Sequence, residues 1–312
     1  MKVGIIGAGN VGAACAYNLL TAQLCRKIVL SDLNLDRAQG EAMDLSHAAA
    51  FYPGTQVRFG AGSDLAGSDL ILFTAGSPQR AGQTRRDLCA VNREILSETL
   101  PRLKRESPEA IFLIVTNPVD VMTYDAWQIT GLMENRVIGS GTVLDTARLR
   151  ALLSDHTGVS PLSIDAYVLG EHGDSEISIF SATRIAGMTI ADYCAQCASC
   201  RGALDDRVRG EMADEVKNAA YEIIARKGST AYGIAAAVTR IVGAIARDEH
   251  AVLTVSAVDP KLGLAMSVPC VIGKNGIERR IDMALDTQER QKMQKSAKEI
   301  REMILSRETA AK

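Results

Sequence analysis

His172 lies in the glycine-flanked segment Gly170-Glu171-His172-Gly173-Asp174, and Asp145 and Arg148 lie together in Leu144-Asp145-Thr146-Ala147-Arg148. An imidazole flanked by glycines can reach a bound small molecule and exchange a proton with it. Asp145 precedes Arg148 by three residues, a spacing that puts both on one face of a helix. A guanidinium offers a bidentate fork to a carboxylate. Asp145 is able to orient His172 and to favour its imidazolium form. Taken alone, the acid and the guanidinium fit equally well a surface salt bridge worth under about 1 kcal/mol. Of the four histidines, His47, His156 and His250 have no comparable setting and read as surface or helix-end residues.

A second constellation sits at the start of the chain. Gly7-Ala8-Gly9-Asn10-Val11-Gly12 follows a short apolar run and opens an amphipathic one. The first glycine permits a tight turn, the second lets backbone approach a pyrophosphate, and the third allows close helix–sheet packing. The helix that follows presents unpaired N–H groups to the phosphates. Asp32 closes the next apolar run, where a carboxylate accepts from ribose hydroxyls and repels a 2′-phosphate. That pattern points to NAD rather than NADP; the other reading of Asp32 is a cap on the helix after it. Thr74, Gly76, Val115, Asn117 and Ser140 are read as further contacts to the same cofactor.

The elements that must position these residues follow a clear rhythm. Val3–Ile6, Ile28–Leu30, Leu70–Thr74 and Ile111–Val115 are short, uncharged and rich in Ile, Val and Leu, as strands buried on both faces are. Between them the spacing predicts helices over Val11–Leu24, Leu35–Ala49, Asp87–Arg105 and Val119–Ile129. This alternation predicts an α/β fold, a Rossmann-type doubly wound parallel sheet. After about residue 142 the order changes. A helix over Leu144–His156 precedes paired strands at Ile164–Leu169 and Glu176–Phe180. Helical stretches over Asp205–Arg226 and on to Arg247 follow, then strands at Val252–Ala257 and Ala265–Ile272 and a charged helix over Thr287–Arg307. The expectation is an NAD-binding domain over 1–142 and an α+β substrate-binding domain over 143–312, with the site in the cleft between them.

Asn117-Pro118-Val119-Asp120 and Gln79-Arg80-Ala81-Gly82-Gln83-Thr84-Arg85 add two more motifs to the two already named. In order and spacing the four resemble the lactate/malate dehydrogenase family, along essentially the whole chain. The resemblance implies an NAD-dependent L-2-hydroxy-acid dehydrogenase, most like bacterial L-lactate dehydrogenases. In it His172 is the proton donor, Asp145 its orienting carboxylate and Arg148 the grip on the substrate carboxylate. Arg85 swings over the substrate on a lid (Ser77–Arg86) and stabilises charge on the carbonyl oxygen. Asn117 contacts substrate, and Thr230 forms a pocket wall opposite the lid. Without the resemblance, Arg85 would read as a solvated helix start, Asn117 as a turn former and Thr230 as a helix cap.

The family separates malate from lactate six residues before the lid arginine, which is Gln79 here. A neutral amide leaves a second carboxylate unpaired in a closed site, at a cost of several kcal/mol. Pyruvate and L-lactate are therefore the expected pair. Arg80 beside Gln79, and Ala81 where family lids commonly carry proline, keep malate or a larger 2-hydroxy acid open as alternatives. Many bacterial members are activated by fructose 1,6-bisphosphate through an arginine and a histidine. Arg150 matches the former, but Asp165 stands at the histidine position, so no such activation is expected. A catalytically silent NAD-binding sensor is the rival from another class. The family also implies a homodimer or homotetramer.

Composition narrows the remaining classes. With 35 Lys+Arg against 37 Asp+Glu in 312 residues, the chain lacks the cationic excess that a nucleic-acid or anionic-membrane partner requires. No apolar run reaches the length of a membrane span, and a strand-like run begins at Lys2, so a signal peptide is not expected. Seven cysteines, an odd and sparse number, argue against a disulfide scaffold and for a reducing, cytoplasmic setting. Cys194-x-x-Cys197-x-x-Cys200 has the spacing of a metal motif, yet no fourth ligand lies nearby in sequence. The trio is read as one packed helix face and no metal is assigned.

Overall fold

The computed structural model describes residues 1–77, 85–198, 200 and 204–308, without the side chains of 85–87 and 307–308. The first half alternates strand and helix. In order these are β1 (Lys2–Ile6), α1 (Asn10–Thr21), β2 (Lys27–Ser31), α2 (Leu35–Ala49), β3 (Gln56–Phe59), β4 (Leu70–Phe73), α3 (Arg85–Glu106), β5 (Ile111–Ile114), α4 (Val119–Thr130) and β6 (Val137–Gly139). These strands pair in parallel, in the spatial order β6-β5-β4-β1-β2-β3. That is the doubly wound arrangement, whose ligand crevice lies outside the carboxyl ends of the strands.

The second half contributes α5 (Val143–Thr157), β7 (Ile164–Leu169), β8 (Ile177–Ile185), β9 (Met188–Thr189), α6 (Ile190–Gln196), α7 (Asp206–Lys227) and α8 (Tyr232–Ala246). It ends in β10 (Ala251–Asp259), β11 (Leu264–Gly273), β12 (Gly276–Arg280) and α9 (Thr287–Glu308). Strands β7, β8 and β9 form a separate antiparallel sheet. Strands β10–β12 instead extend the first sheet: β10 lies antiparallel to β6 through Ser256↔Gly139 and Ala257↔Ile138. The hydrogen-bonded sheet thus crosses residue 142.

Two apolar layers cover its faces. On one, Ala16, Leu19 and Leu20 of α1 meet Val238, Ile241 and Val242 of α8 over Val3, Ile5 and Ile28. On the other, Leu96 and Leu100 of α3, Val121 and Met122 of α4 and Ile300 of α9 pack over Ile71, Phe73 and Phe112. A third core joins α5, β7 and α7 through Leu149, Leu153, Val168 and Val216. Among the described residues no helix is long and apolar enough to cross a membrane.

Two expectations need correction. Helix α6 ends at Gln196, so only Cys194 of the cysteine trio is helical and the three do not form one helix face. His156 is at a helix end, as read, but it is buried at 6% exposure rather than on the surface. The Cys194 and Cys200 sulfurs lie within 4.8 Å of one of its ring nitrogens, which places it beside the end of α6 rather than in solvent.

Candidate active site

The loop after β1 is built for close approach. Gly7 has φ +100°, a left-handed conformation, and a Cβ there would fall 2.7 Å from the Ala75 nitrogen. A Cβ on Gly12 would sit 1.9 Å from the Gly7 carbonyl oxygen, so α1 can press against the loop only with glycine in place. Gly9 differs: nothing lies within 4 Å of its hypothetical Cβ. That open face borders the first turn of α1, which carries no acidic side chain and leaves its N–H groups to an anion. The cradle therefore fits a dinucleotide pyrophosphate.

Asp32 leaves the end of β2 and accepts from the Ala8 backbone N–H at 2.7 Å and the Asn34 N–H at 2.9 Å. Its carboxylate is thereby fixed beside the glycine loop rather than acting as the cap of α2, a role taken by Asn34. Arg37, which sequence reasoning passed over, donates to the Ala8 carbonyl (2.9 Å) and to Asn10 Oδ1 (3.1 Å). Asn10 Nδ2 in turn donates to Ser229 Oγ at 3.2 Å, which brings the Thr230 segment over the loop. Thr74 Oγ1 donates to the Gly7 carbonyl at 2.9 Å. Val115 and Asn117 follow β5, Ser140 follows β6, and Gly76 follows β4, so each stands at the carboxyl edge of the sheet.

The chemistry-bearing triad comes together around one carboxylate. Asp145, in the first turn of α5 and 1% exposed, receives His172 Nδ1 on Oδ2 at 2.6 Å and Arg148 Nη1 on Oδ1 at 2.6 Å. The His172 ring is held through Nδ1, which leaves Nε2 as its outer nitrogen, and 25% of its side chain is exposed. Burial pulls the imidazole pKa down, but the Asp145 charge and hydrogen bond, with Glu176 and Asp120 behind them, outweigh it and set it at about 9. Burial pushes the Asp145 carboxyl up, and His172 and Arg148 together overcome this and hold it below its ordinary value.

The His172 turn itself is pinned from three sides. Gly170 pairs with Ser267 of β11, Glu171 N–H donates to Ser296 Oγ of α9 (2.8 Å), and His172 N–H donates to Asp120 Oδ2 (2.7 Å). Asp120, buried in the first turn of α4, also accepts from Ser256 Oγ at 2.6 Å. It ties the His172 backbone to the start of α4, just beyond the carboxyl end of β5. Asn92, buried on α3, donates to the Asn117 carbonyl at 2.7 Å and accepts from Ser77 N–H at 2.8 Å, so one amide links the Asn117 turn to the base of the lid. Glu176 is a further group that sequence reasoning missed. Its carboxyl is grouped with Asp145 and His172, with ligand atoms within 4.8 Å of one another, and burial then the Asp145 charge raise its pKa to about 8. Asp120 carried a signal only as the last residue of the Asn117-Pro118-Val119-Asp120 motif, with no role read for it, and Asn92 and Glu176 carried none.

Gln79 lies outside the described residues, as do Arg80 and Ala81, and Arg85 is described only as the backbone start of α3. Arg150 is held in the fold: its Nε donates to the Ala166 carbonyl at 3.1 Å, and its guanidinium lies 5.6 Å from the centre of the Tyr167 ring. Asp165 is exposed on β7.

Comparison with known proteins supplies the family. Residues 1–139 match the lactate/malate dehydrogenase NAD binding domain, and residues 142–310 match the lactate/malate dehydrogenase alpha/beta C-terminal domain. The chain is 44% identical over 308 residues to L-lactate dehydrogenase 1 of Clostridium acetobutylicum, covering 97% of each. It is likewise 44% identical over 308 residues to L-lactate dehydrogenase of Moorella thermoacetica, covering 97% of this chain and 96% of that one. Among solved structures, a minor L-lactate dehydrogenase from Enterococcus mundtii superposes with a TM-score of 0.92 at 37% identity, covering 98% of both chains. A lactate dehydrogenase from a Medee basin deep-sea metagenome library superposes with a TM-score of 0.93 at 34% identity, again covering 98% of both. With both halves matched end to end, this chain belongs to the lactate/malate dehydrogenase family.

Proposed function

We propose that the chain is an NAD-dependent L-lactate dehydrogenase, interconverting pyruvate and L-lactate, with residues 1–142 binding the dinucleotide and 143–312 the substrate. The observation that carries this reading is the shared carboxylate: Asp145 holds both the imidazole that moves a proton and the guanidinium that grips an acid. When bound, the reduced nicotinamide supplies a hydride to the keto carbon. Gly7, Gly9, Asn10, Val11 and Gly12 hold its pyrophosphate, Asp32 its ribose, and Thr74, Gly76, Val115, Asn117 and Ser140 line the rest of its path.

His172 holds a proton at Nε2 and gives it to the keto oxygen as that oxygen becomes a hydroxyl; in the reverse direction it takes the proton back. Asp145 keeps the imidazole in one tautomer and steadies its positive charge. Arg148 clasps the substrate carboxylate. Its Nη1 is bound to Asp145, so the clasp uses the rest of the fork. By the family resemblance Arg85 and Gln79 act on the substrate and Thr230 walls its pocket, and exclusion of water strengthens each of these charge interactions.

Gln79 supports pyruvate over oxaloacetate, because no cation at that position meets a second carboxylate. The test is NADH oxidation by the purified chain with pyruvate, oxaloacetate and longer 2-keto acids. Pyruvate is expected to give the highest kcat/KM; a preference for oxaloacetate overturns the reading of Gln79, and no turnover with any acid favours the silent sensor. Gln79→Arg is expected to move the oxaloacetate-to-pyruvate ratio upward by about 100-fold or more, since a paired carboxylate recovers several kcal/mol and each 1.4 is tenfold.

Asp165 supports independence from fructose 1,6-bisphosphate, as an acid repels the phosphates; a sharp fall in the pyruvate KM on adding the sugar bisphosphate refutes this. A homodimer or homotetramer in the cytoplasm completes the proposal. It is supported by apolar residues left open on and beside α2, Met43 and, at 82% exposure, Phe51. Analytical ultracentrifugation reads the assembly directly.

A further inference from the structure

The cysteine trio gains in space the partner it lacked in sequence. His156 is in the last turn of α5, 38 residues before Cys194, yet one of its imidazole nitrogens and the Sγ atoms of Cys194 and Cys200 lie within 4.8 Å of one another. The His156 ring is 94% buried by its 6% exposure, and its Nε2 has no hydrogen-bond partner among the described residues. A buried, unpartnered imidazole nitrogen is costly unless something binds it. Cys197 completes the group: the Cys200 thiol is within hydrogen-bonding range of both Cys194 and Cys197, and Cys197 Sγ reaches the Thr157 carbonyl at 4.0 Å, one residue beyond His156. None of the three cysteines is in a disulfide.

We propose that His156, Cys194, Cys197 and Cys200 form a structural zinc site, distinct from the dehydrogenase centre. Three sulfurs and one imidazole are a donor set suited to a tetrahedral Zn2+, whose ligand atoms stand about 3.5–3.8 Å apart when bonded at the usual lengths. The His156 nitrogen and the Cys194 and Cys200 sulfurs are already within 4.8 Å of one another, and Cys197, beside Cys200, moves in as the fourth ligand. Binding releases the thiol protons to solvent, with no change of oxidation state. All four positions are filled by protein, so the ion has no open site for chemistry; it acts as a clamp. It ties the cysteines at and after the end of α6 to the C-terminal turn of the helix whose first turns carry Asp145 and Arg148. Bound through Nε2, it also satisfies the buried His156 nitrogen, a role that no described side chain fills.

The test uses the full chain, produced without an affinity tag in zinc-supplemented medium and freed of loose metal by gel filtration. Elemental analysis is expected to find about one zinc per chain, as a closed structural site binds tightly. After stripping with a chelator under reducing conditions, titration with Co2+ is expected to give thiolate-to-cobalt charge-transfer bands and the intense visible bands of tetrahedral cobalt. Cys200→Ser and Cys194→Ser each lose most of the zinc and these bands while keeping kcat for the natural substrate. His156→Gln is expected to lose them too, and the cysteine variants carry the test should that buried substitution prevent folding. Stripping alone lowers Tm by several degrees, restored by added zinc. Three results overturn the proposal: a reduced full chain that takes up neither zinc nor cobalt, uptake that survives in both Cys194→Ser and Cys200→Ser, or uptake unaffected in a folded His156→Gln. A stable disulfide among the trio in protein that binds no zinc once reduced also overturns it.

Discussion

Asp145 is the residue on which the site turns, because its two oxygens are divided between an acid–base group and an anchor. Replacing it with Asn preserves shape but removes the charge that holds His172 above its ordinary range. Asp145→Asn is expected to cut kcat/KM for pyruvate by about 10³-fold or more and to bring the pH limit of reduction down toward about 6.5, the ordinary imidazole value. Steady-state rates across pH measure both effects. Asp120 works one step further back. Asp120→Ala strands the His172 N–H and the Ser256 hydroxyl, and is expected to cost about 1–3 kcal/mol in denaturant unfolding along with a fall in kcat. Ser256→Ala leaves the His172 bond in place and is expected to cost less on both counts. The triad was legible in the sequence because each member sits in a compact motif. Asp120 and Asn92 were not read as functional, since their partners are fixed by the fold: His172 lies 52 residues from Asp120, and Ser77 lies 15 from Asn92.

Among the elements, the glycine loop makes the sharpest distinction between folding and binding. Gly12→Ala drives a methyl into the Gly7 carbonyl and is expected to destabilise the chain strongly, seen as a lowered Tm. Gly9→Ala meets nothing within the protein, so Tm is expected to hold while the Kd for NADH, measured by fluorescence titration, rises at least about tenfold as the methyl displaces a phosphate. Equal thermal losses in the two variants count against this assignment of roles. Elements with strong local pattern could be read closely: α2 and β7 begin and end where periodicity placed them. Strand β3, with one buried residue among four, and β12, rich in Glu and Arg, carried no apolar signal because they lie at the sheet's two edges. The three-residue β6 was too short to stand out, although it joins the parallel and antiparallel parts of the sheet. The cysteine spacing misled for a related reason: a period of three suggests a helix face, but α6 stops at Gln196 and the partner imidazole arrives from α5.

At the scale of the molecule, the halves divide the work without dividing the structure. The sheet runs through β6 into β10, and α8 covers the apolar face of α1. A fragment ending at residue 142 would expose Leu19, Leu20 and the free edge of β6, and is expected to aggregate or bind hydrophobic dyes, whereas the full chain does neither. A soluble, dye-negative and cooperatively unfolding fragment would contradict that coupling. Joining the halves serves the chemistry, since Asp120 from the first holds the His172 turn of the second. The proposed chemistry requires His172 to be charged when a keto acid arrives, and the pH dependence of kcat/KM in both directions measures this most directly. Because the imidazole pKa is raised to about 9, the charged form prevails below that value and is lost above it. Pyruvate reduction is predicted to hold level through neutral pH and to fall about tenfold per unit above the transition, while lactate oxidation climbs over the same interval as neutral imidazole appears. Pyruvate reduction governed by an ordinary imidazole transition, or insensitive to pH in the wild type, would contradict it.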